Sequence, residues 1–440
     1  RSIGGSQHAL AAGRSRIIMW QPKTLLVAVT ALICVLACTV AGDGTGMPLV
    51  TAITKDAATS LYTAPLMSGN PLVLDLSGPI IWSTCPTGHS TLDCNNVDCM
   101  RAHRFHPPNC PHTGFGKPDD DDPYRCKCTA HPHNPVSGDT TSGDVTRSEL
   151  SANATDGKNP LGPVSFTAVT SCAPDSLLAN LPAGAVGVAG LARSGLSFPG
   201  QVAGKQGVSS SFALCLPSRG RGVAMFGGGT LFLNQVGWPF NTTTLVSYTP
   251  LRTYRESPGY FMSANRGILV NRAAQVPLPM DAPLTIGLSS TVPYTEVRPD
   301  VYRPFIKAWD QAMVWTAKVA PPPGVPFELC YPSSKLSLTR FGYFVPDVTL
   351  LLDGGGGWTL RGGNTMMWVD GGNLACFAFA EMKEGKTGYG GHEAPAMVIG
   401  TLQMEDNVVV FDQENLRLGF TGILTGRGFS CSNFNFTVPA

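Results

Sequence analysis

Charge is scarce in this sequence. Aspartate, glutamate, lysine and arginine make up 14% of its 440 residues, against roughly 25% in an ordinary soluble protein. The 31 basic and 30 acidic side chains leave a net charge of +1. No basic stripe exists to neutralise phosphates, which argues against nucleic acid as a partner. Helix-compatible stretches are few as well, because 50 glycines and 36 prolines interrupt the chain. That content stays short of the roughly 25–30% that marks low complexity. A helical bundle, a coiled coil and a disordered tail all fit poorly, whereas a turn-rich, all-β protein fits well.

Long apolar runs are almost absent, and the one present lies near the start. Lys23 precedes an apolar stretch from Thr24 to Cys38, followed by the small residues Thr39, Val40 and Ala41. A basic lead, a short apolar core and small residues before a cut after Ala41 describe a secretory signal peptide. Met19 reads as the natural start, with residues 1–18 as upstream translation. The run is shorter than the roughly 20 residues that span a bilayer, so no membrane partner is expected. The mature chain should be extracellular (apoplast or cell wall), soluble and oxidised.

Cys34 and Cys38 would leave with the signal. Eleven cysteines remain: Cys85, Cys94, Cys99, Cys110, Cys126, Cys128, Cys172, Cys215, Cys330, Cys376 and Cys431. In a secreted chain they read as disulfides. Six of them, from Cys85 to Cys128, staple a loop region with little core of its own. An odd number leaves one over, and Cys126 or Cys128 is the candidate, since the two sit too close to bridge comfortably. Sequons at Asn153, Asn241 and Asn435 fit the same compartment. His103, His106 and His112 lie among these cysteines, but oxidised sulfurs do not ligate and the spacing matches no zinc finger, so no metal is expected. The acids Asp119–Asp122 lack the alternating ligands and glycine of a calcium loop. No cofactor is expected.

Short β-type runs dominate: Leu72–Leu74, Val164–Val169, Val223–Phe226, Ile268–Val270, Val348–Leu352, Met397–Ile399 and Val408–Phe411, separated by turn residues. Gly227–Gly229 and Gly354–Gly357 read as tight turns rather than phosphate loops, because neither carries a Lys-Ser/Thr ending. The best helical stretch lies between Arg298 and Val319.

A paired pattern stands out. Leu72-Val-Leu-Asp-Leu-Ser-Gly78 is an apolar strand entering a small-residue turn, and Gly187-Val-Ala-Gly190 follows further on. In the second half, Leu284-Thr-Ile-Gly-Leu-Ser-Ser-Thr291 is followed by Met397-Val-Ile-Gly400. Asp75 to Gly190 spans 115 residues and Ser289 to Gly400 spans 111, which points to a duplicated lobe.

These segments resemble the pepsin-like aspartic proteases, in which each lobe carries an Asp-Thr/Ser-Gly turn backed by an apolar–apolar–Gly strand. The resemblance runs through Val73–Cys85, Gly187–Ser197, Val345–Leu360 with its Asp-Gly-Gly-Gly-Gly-Trp, and Val410–Phe420. The segments Asn134-Pro-Val-Ser-Gly138 and Arg298-Pro-Asp-Val-Tyr-Arg-Pro304 are similar to plant xylanase inhibitors of the TAXI type. The resemblance implies two β-rich lobes around a central cleft, 42–235 and 245–440, after an upstream and signal segment 1–41.

The protease chemistry is dismantled. An aspartic protease needs two carboxylates sharing one proton. Asp75 stands at the first position, but its turn continues Leu76-Ser77-Gly78, and leucine supplies no hydroxyl to the paired turns. Thirteen residues before Tyr302, the family's spacing, the second position holds Ser289. The segment His131–Gly138 lacks the tyrosine of the family's flap. The sequence therefore predicts no catalytic pair, with Asp75 and Ser289 as degenerate remnants.

The resemblance implies a protein inhibitor of microbial endo-xylanases in plant defence, acting as a monomer. In that family a histidine near the C-terminus enters the xylanase's catalytic site. Here the residues between Phe420 and Cys431 contain no histidine, and Arg427 is their only cation, so Arg427 and Phe429 are the candidate inhibitory residues. A peptide- or glycan-binding role on the same scaffold is the first alternative, and retained endopeptidase activity the second.

Overall fold

The computed structural model describes residues 46–108, 110, 114–119, 122, 124–235, 238–278, 284–383 and 395–437. The expected signal segment, His112 and part of the acidic run at 119–122 lie outside them. Residues 44–440 group as one compact unit.

The β-type runs read from the sequence are strands. A sheet of 14 strands carries the first half of the chain. Strand Leu49–Lys55 pairs antiparallel with Arg221–Phe226 and with Tyr62–Met67. Tyr62–Met67 in turn pairs with Asn70–Asp75. Asn70–Asp75 then lies parallel to Gly187–Gly190, so that Asp75 faces Gly190. A parallel neighbour requires a crossover, and the long antiparallel pair Gly143–Thr155 and Pro160–Ala173 lies within it.

The second half repeats the device on its own five-stranded sheet. Thr285–Leu288 lies parallel to Met397–Ile399, with Leu288 opposite Ile399. The next residues in each strand are Ser289 and Gly400. Both glycines are required by close approach rather than by backbone angle. A Cβ on Gly190 would stand 2.3 Å from the Gly78 carbonyl oxygen, and one on Gly400 would stand 2.4 Å from the Tyr294 carbonyl carbon. The duplication read from spacing is thus a structural one, and the molecule is a two-lobed, pepsin-like β fold.

The C-terminal strands return to the first half. Val408–Asp412 pairs with Phe212–Cys215 and with Arg417–Phe420, adding second-half strands to the large sheet. Phe411 stacks on Phe212 with ring centroids 4.5 Å apart, and the Cys215–Cys431 disulfide closes the same corner. Helix Pro299–Ala312 begins at a proline, whose missing N–H costs nothing in a first turn. It buries Val301, Tyr302, Phe305, Ile306 and Trp309, the spacing of one helical face. Among the described residues no helix is long and apolar enough to cross a membrane.

Among the described residues five disulfides join Cys85–Cys172, Cys94–Cys126, Cys99–Cys128, Cys215–Cys431 and Cys330–Cys376. This corrects the expectation that Cys126 or Cys128 is left over, since both are bridged. The two lie at i and i+2 of strand Cys126–Ala130, which sends both side chains to one face. Their closeness bars a bond to each other, but not separate bonds to Cys94 and Cys99 around the helix Val97–Ala102.

Candidate functional site

Asp75 ends its strand inside the molecule and is 1% exposed. Its Oδ1 accepts a hydrogen bond from the Ser77 N–H at 2.8 Å. Burial pushes its carboxyl up to about 6, against the opposing pull of the Ser77 and Gly78 N–H groups. Ser289 occupies the corresponding place after Thr285–Leu288 and makes the same local turn, with its Oγ accepting from the Thr291 N–H at 3.2 Å.

Between the two turns one side chain crosses. The Ser290 hydroxyl accepts from the Leu76 N–H at 2.9 Å and donates to the Leu74 carbonyl at 2.7 Å. Leu76 stands where the reciprocal hydroxyl would be and is fully buried in the apolar core instead. Among the described residues, the side-chain hydrogen bonds between the paired turns therefore come from one side.

The hollow beside Asp75 is small. It is lined by Asp75, Ile80, Trp82, Phe105, Pro107 and the His131 and His133 rings, and its volume is about 10 Å³. A cavity needs roughly 10–15 Å³ to hold one water, so this hollow beside the carboxyl holds about one water and no substrate group. Phe105 and Pro107 come from the disulfide-bonded segment after helix Val97–Ala102, and Phe105 is 7% exposed. Sequence reasoning missed this plug, because the path of that segment depends on which cysteines pair.

The segment expected to replace the flap is pinned down. Asn134 is buried, and its Nδ2 donates to the Leu177 and Ala179 carbonyls at 2.8 Å each. The Trp82 indole N–H donates to the His133 carbonyl at 2.9 Å. Burial pushes the His133 imidazole down to about 4.

Two clusters bring a histidine between cysteines: Cys85, His89 and Cys172, and Cys99, His103 and Cys128. In each the two sulfurs form a disulfide, so the donor set lacks thiolates and does not suit zinc.

The C-terminal candidates part company. Residues Leu424–Arg427 form a single 3₁₀ turn, and Arg427 is exposed at its end. Phe429, by contrast, is 7% exposed and packs its ring 4.6 Å from that of Phe240. The expectation that Phe429 meets a partner is corrected: its side chain turns inward to the apolar cluster of Val50, Leu233 and Phe434. The turn is rigidly mounted. The Leu424 N–H donates to the Asp406 carbonyl at 2.8 Å, the Cys431 N–H donates to Asp406 Oδ1 at 2.9 Å, and Cys431 is bridged to Cys215.

Of the three sequons, Asn241 caps a 3₁₀ turn with Oδ1 accepting from the Thr243 N–H at 2.9 Å. Asn435 donates from Nδ2 to Asn159 Oδ1 at 2.7 Å. Asn153 lies half-buried inside a long strand.

Residues 62–228 match the family described as "Xylanase inhibitor N-terminal", and residues 259–422 match "Xylanase inhibitor C-terminal". The chain is 56% identical over 399 residues to a protein of Oryza sativa subsp. japonica named "Chitinase CLP", covering 90% of this chain and 93% of the relative. Among solved structures, the one described as "Crystal structure of edgp" superposes with a TM-score of 0.75 at 28% identity, covering 89% of this chain and 98% of the other. Basic 7S globulin from soybean superposes with a TM-score of 0.70 at 26% identity, covering 89% and 100%.

Proposed function

This chain belongs to the xylanase-inhibitor family, on a pepsin-like scaffold, and we propose that it is a secreted, proteolytically inactive inhibitor of microbial endo-xylanases in plant defence. The observation that carries the reading is Arg427, exposed on a 3₁₀ turn anchored through Asp406 and the Cys215–Cys431 bridge. A glycoside hydrolase holds two carboxyl groups roughly 5–9.5 Å apart across its substrate. A guanidinium inserted there is permanently charged and offers forked donors to both. The cleft of the scaffold has no part in this. Ser289 stands at the second aspartate's position, and the hollow at Asp75 is too small for substrate.

The rest of the reading follows from the compartment. The segment up to Ala41 is removed as a signal peptide, glycans are carried at the sequons, and the mature protein acts as a monomer in the apoplast. Its lobes divide between residues 235 and 245.

One observation favours a second reading, a chitin-directed role: the rice relative at 56% identity is named a chitinase. One experiment separates the two. The purified secreted protein is titrated into fungal endo-xylanases while hydrolysis of xylan is followed, and it is incubated in parallel with chitin oligomers. Saturable inhibition without release of chitin products supports the first reading. Cleavage of the chitin oligomers with xylanases unaffected replaces it with the second.

A further inference from the structure

The second lobe carries an open groove of about 670 Å³, well within the size of small-ligand sites. Two large aromatic side chains stand in it uncovered: Trp315 is 59% exposed and Phe344 is 70% exposed. Rings of this size normally bury their faces, and a pair left open beside polar groups marks a binding surface. A third ring, Phe341, is already covered on one face, with the Arg361 guanidinium 4.4 Å from its centroid.

The polar lining is lopsided. Asp347 receives both Arg272, at 3.3 Å, and Arg361, at 3.6 Å. Arg340, on the hairpin Leu338–Tyr343, is exposed in the same groove. Three guanidinium groups thus face one carboxylate, a surplus of two positive charges in a chain whose net charge is +1. A concave wall concentrates such a field. The backbone is held to shape as well, since Asn271 and Arg272 both adopt positive φ, at 53° and 63°. Residues other than glycine are kept there only by their surroundings.

From these observations we infer that the groove binds an oligosaccharide bearing carboxylate groups, a uronic-acid glycan. A pyranose ring has an apolar C–H face that lies flat on an exposed indole or phenyl, and a rim of hydroxyls that suits planar guanidinium and carboxylate partners. The surplus of arginine selects the acidic sugar, because a forked guanidinium pairs with a carboxylate through two parallel hydrogen bonds. The stacking platform distinguishes a sugar from an acidic peptide, which has no rigid apolar face of its own. The inference goes beyond the inhibitory reading and does not depend on it, since it involves Trp315, Phe344 and Arg340 rather than Arg427. The two surfaces nevertheless adjoin: a Cβ on Gly426, next to Arg427, would fall 1.7 Å from the Phe341 ring.

The test uses the full secreted protein, titrated calorimetrically and by tryptophan fluorescence with hexagalacturonate, its methyl ester and xylohexaose. Hexagalacturonate should bind saturably at low salt and weaken at about 0.5 M salt, where the Debye length shrinks to a few ångströms. Trp315→Ala and Arg340→Gln, both at exposed positions, should each weaken it by about tenfold, with the Arg340 change also reducing the salt dependence. Equal affinity for the methyl ester, no binding at millimolar ligand, or unchanged binding in both variants would overturn the inference. Displacement by an oligoglutamate of equal charge at the same concentration would overturn it too, in favour of an acidic peptide. Xylanase inhibition measured on the same variants, and on Arg427→Ala, keeps the two readings apart.

Discussion

Ser290 grips the first lobe's turn from the second lobe, with its hydroxyl donating to the Leu74 carbonyl at 2.7 Å while accepting from the Leu76 N–H at 2.9 Å. All three residues are fully buried. In a symmetric arrangement a hydroxyl from each turn would do this, but here leucine fills the opposite place. Among the described residues, one hydroxyl thus makes both of these hydrogen bonds between the turns. Ser290→Ala leaves a buried N–H and a buried carbonyl without partners, and should destabilise the protein by about 1–3 kcal/mol. Ser290→Thr keeps the hydroxyl and should recover most of that loss. Urea unfolding of the three proteins checks this, and an unchanged midpoint for Ser290→Ala would refute it.

Proteolysis is expected to be absent. Casein or haemoglobin held with the pure protein at acid pH should stay intact, and pepstatin should make no difference. Ser289→Asp supplies a second carboxylate but should not restore cleavage, because the hollow of about 10 Å³ beside Asp75 admits no peptide. Pepstatin-sensitive cleavage by the pure wild type would end this account of the cleft.

Asp75 and His133 border the same hollow and titrate abnormally in opposite senses. Burial raises the Asp75 carboxyl from 3.8 to about 6. Between those values the folded chain binds more protons than the unfolded one, so this group's contribution to stability falls as pH rises through the window. Burial lowers the His133 imidazole from 6.5 to about 4, with Asp139 pulling weakly the other way. Between those values the unfolded chain binds more protons, so this contribution rises with pH. The two slopes oppose, and the wild type should owe little pH dependence to the pair from pH 4 to 6. Asp75→Asn should unmask the histidine, with stability climbing by about 3 kcal/mol from pH 4 to 6.5. His133→Gln should show the reverse slope. Denaturant melts across that range decide it, and parallel profiles in both variants would contradict it.

Much of this fold was legible because it rests on local chemistry. Strands such as Val223–Phe226 and Val408–Phe411 declare themselves by apolar, β-branched runs between turn residues. Gly190 and Gly400 mark the two places where backbone passes behind a turn, and their spacing from Asp75 and Ser289 exposes the duplication. What stayed hidden depends on long-range pairing. Nothing in the spacing says that Cys126 takes Cys94 and Cys128 takes Cys99, and only that pairing carries Phe105 and Pro107 into the cleft. Phe429 follows Gly428, whose φ of 81° redirects the chain toward Phe240; a single aromatic in a short turn has no periodicity to announce its burial. The groove of Trp315, Phe344 and Arg340 gathers residues from the end of a helix and from a hairpin, and no stretch of sequence displays it.

Arg427 carries the remaining prediction. If its turn anchors a xylanase, the guanidinium meets the enzyme's catalytic carboxylates as a desolvated ion pair. Arg427→Ala should then weaken inhibition by roughly 2–5 kcal/mol, the usual cost of truncating one partner of a buried charged pair at an interface. The loss should lie mainly in the dissociation rate, and xylan fragments filling the enzyme's active site should compete. Arginine stays charged throughout, so inhibition should track ionisation of the xylanase carboxylates and show no step near pH 6.5, where a histidine-based inhibitor would change. Arg427→Lys retains the charge but not the fork, and should fall between wild type and alanine. Cys431→Ala gives a second handle, because it frees the turn from Cys215 without touching the guanidinium. A loosened anchor has to be ordered again on binding, so inhibition should weaken while its pH profile stays the same. Wild-type inhibition by Arg427→Ala would remove this turn as the anchor, and no inhibition of any xylanase at micromolar protein would remove the inhibitory role itself.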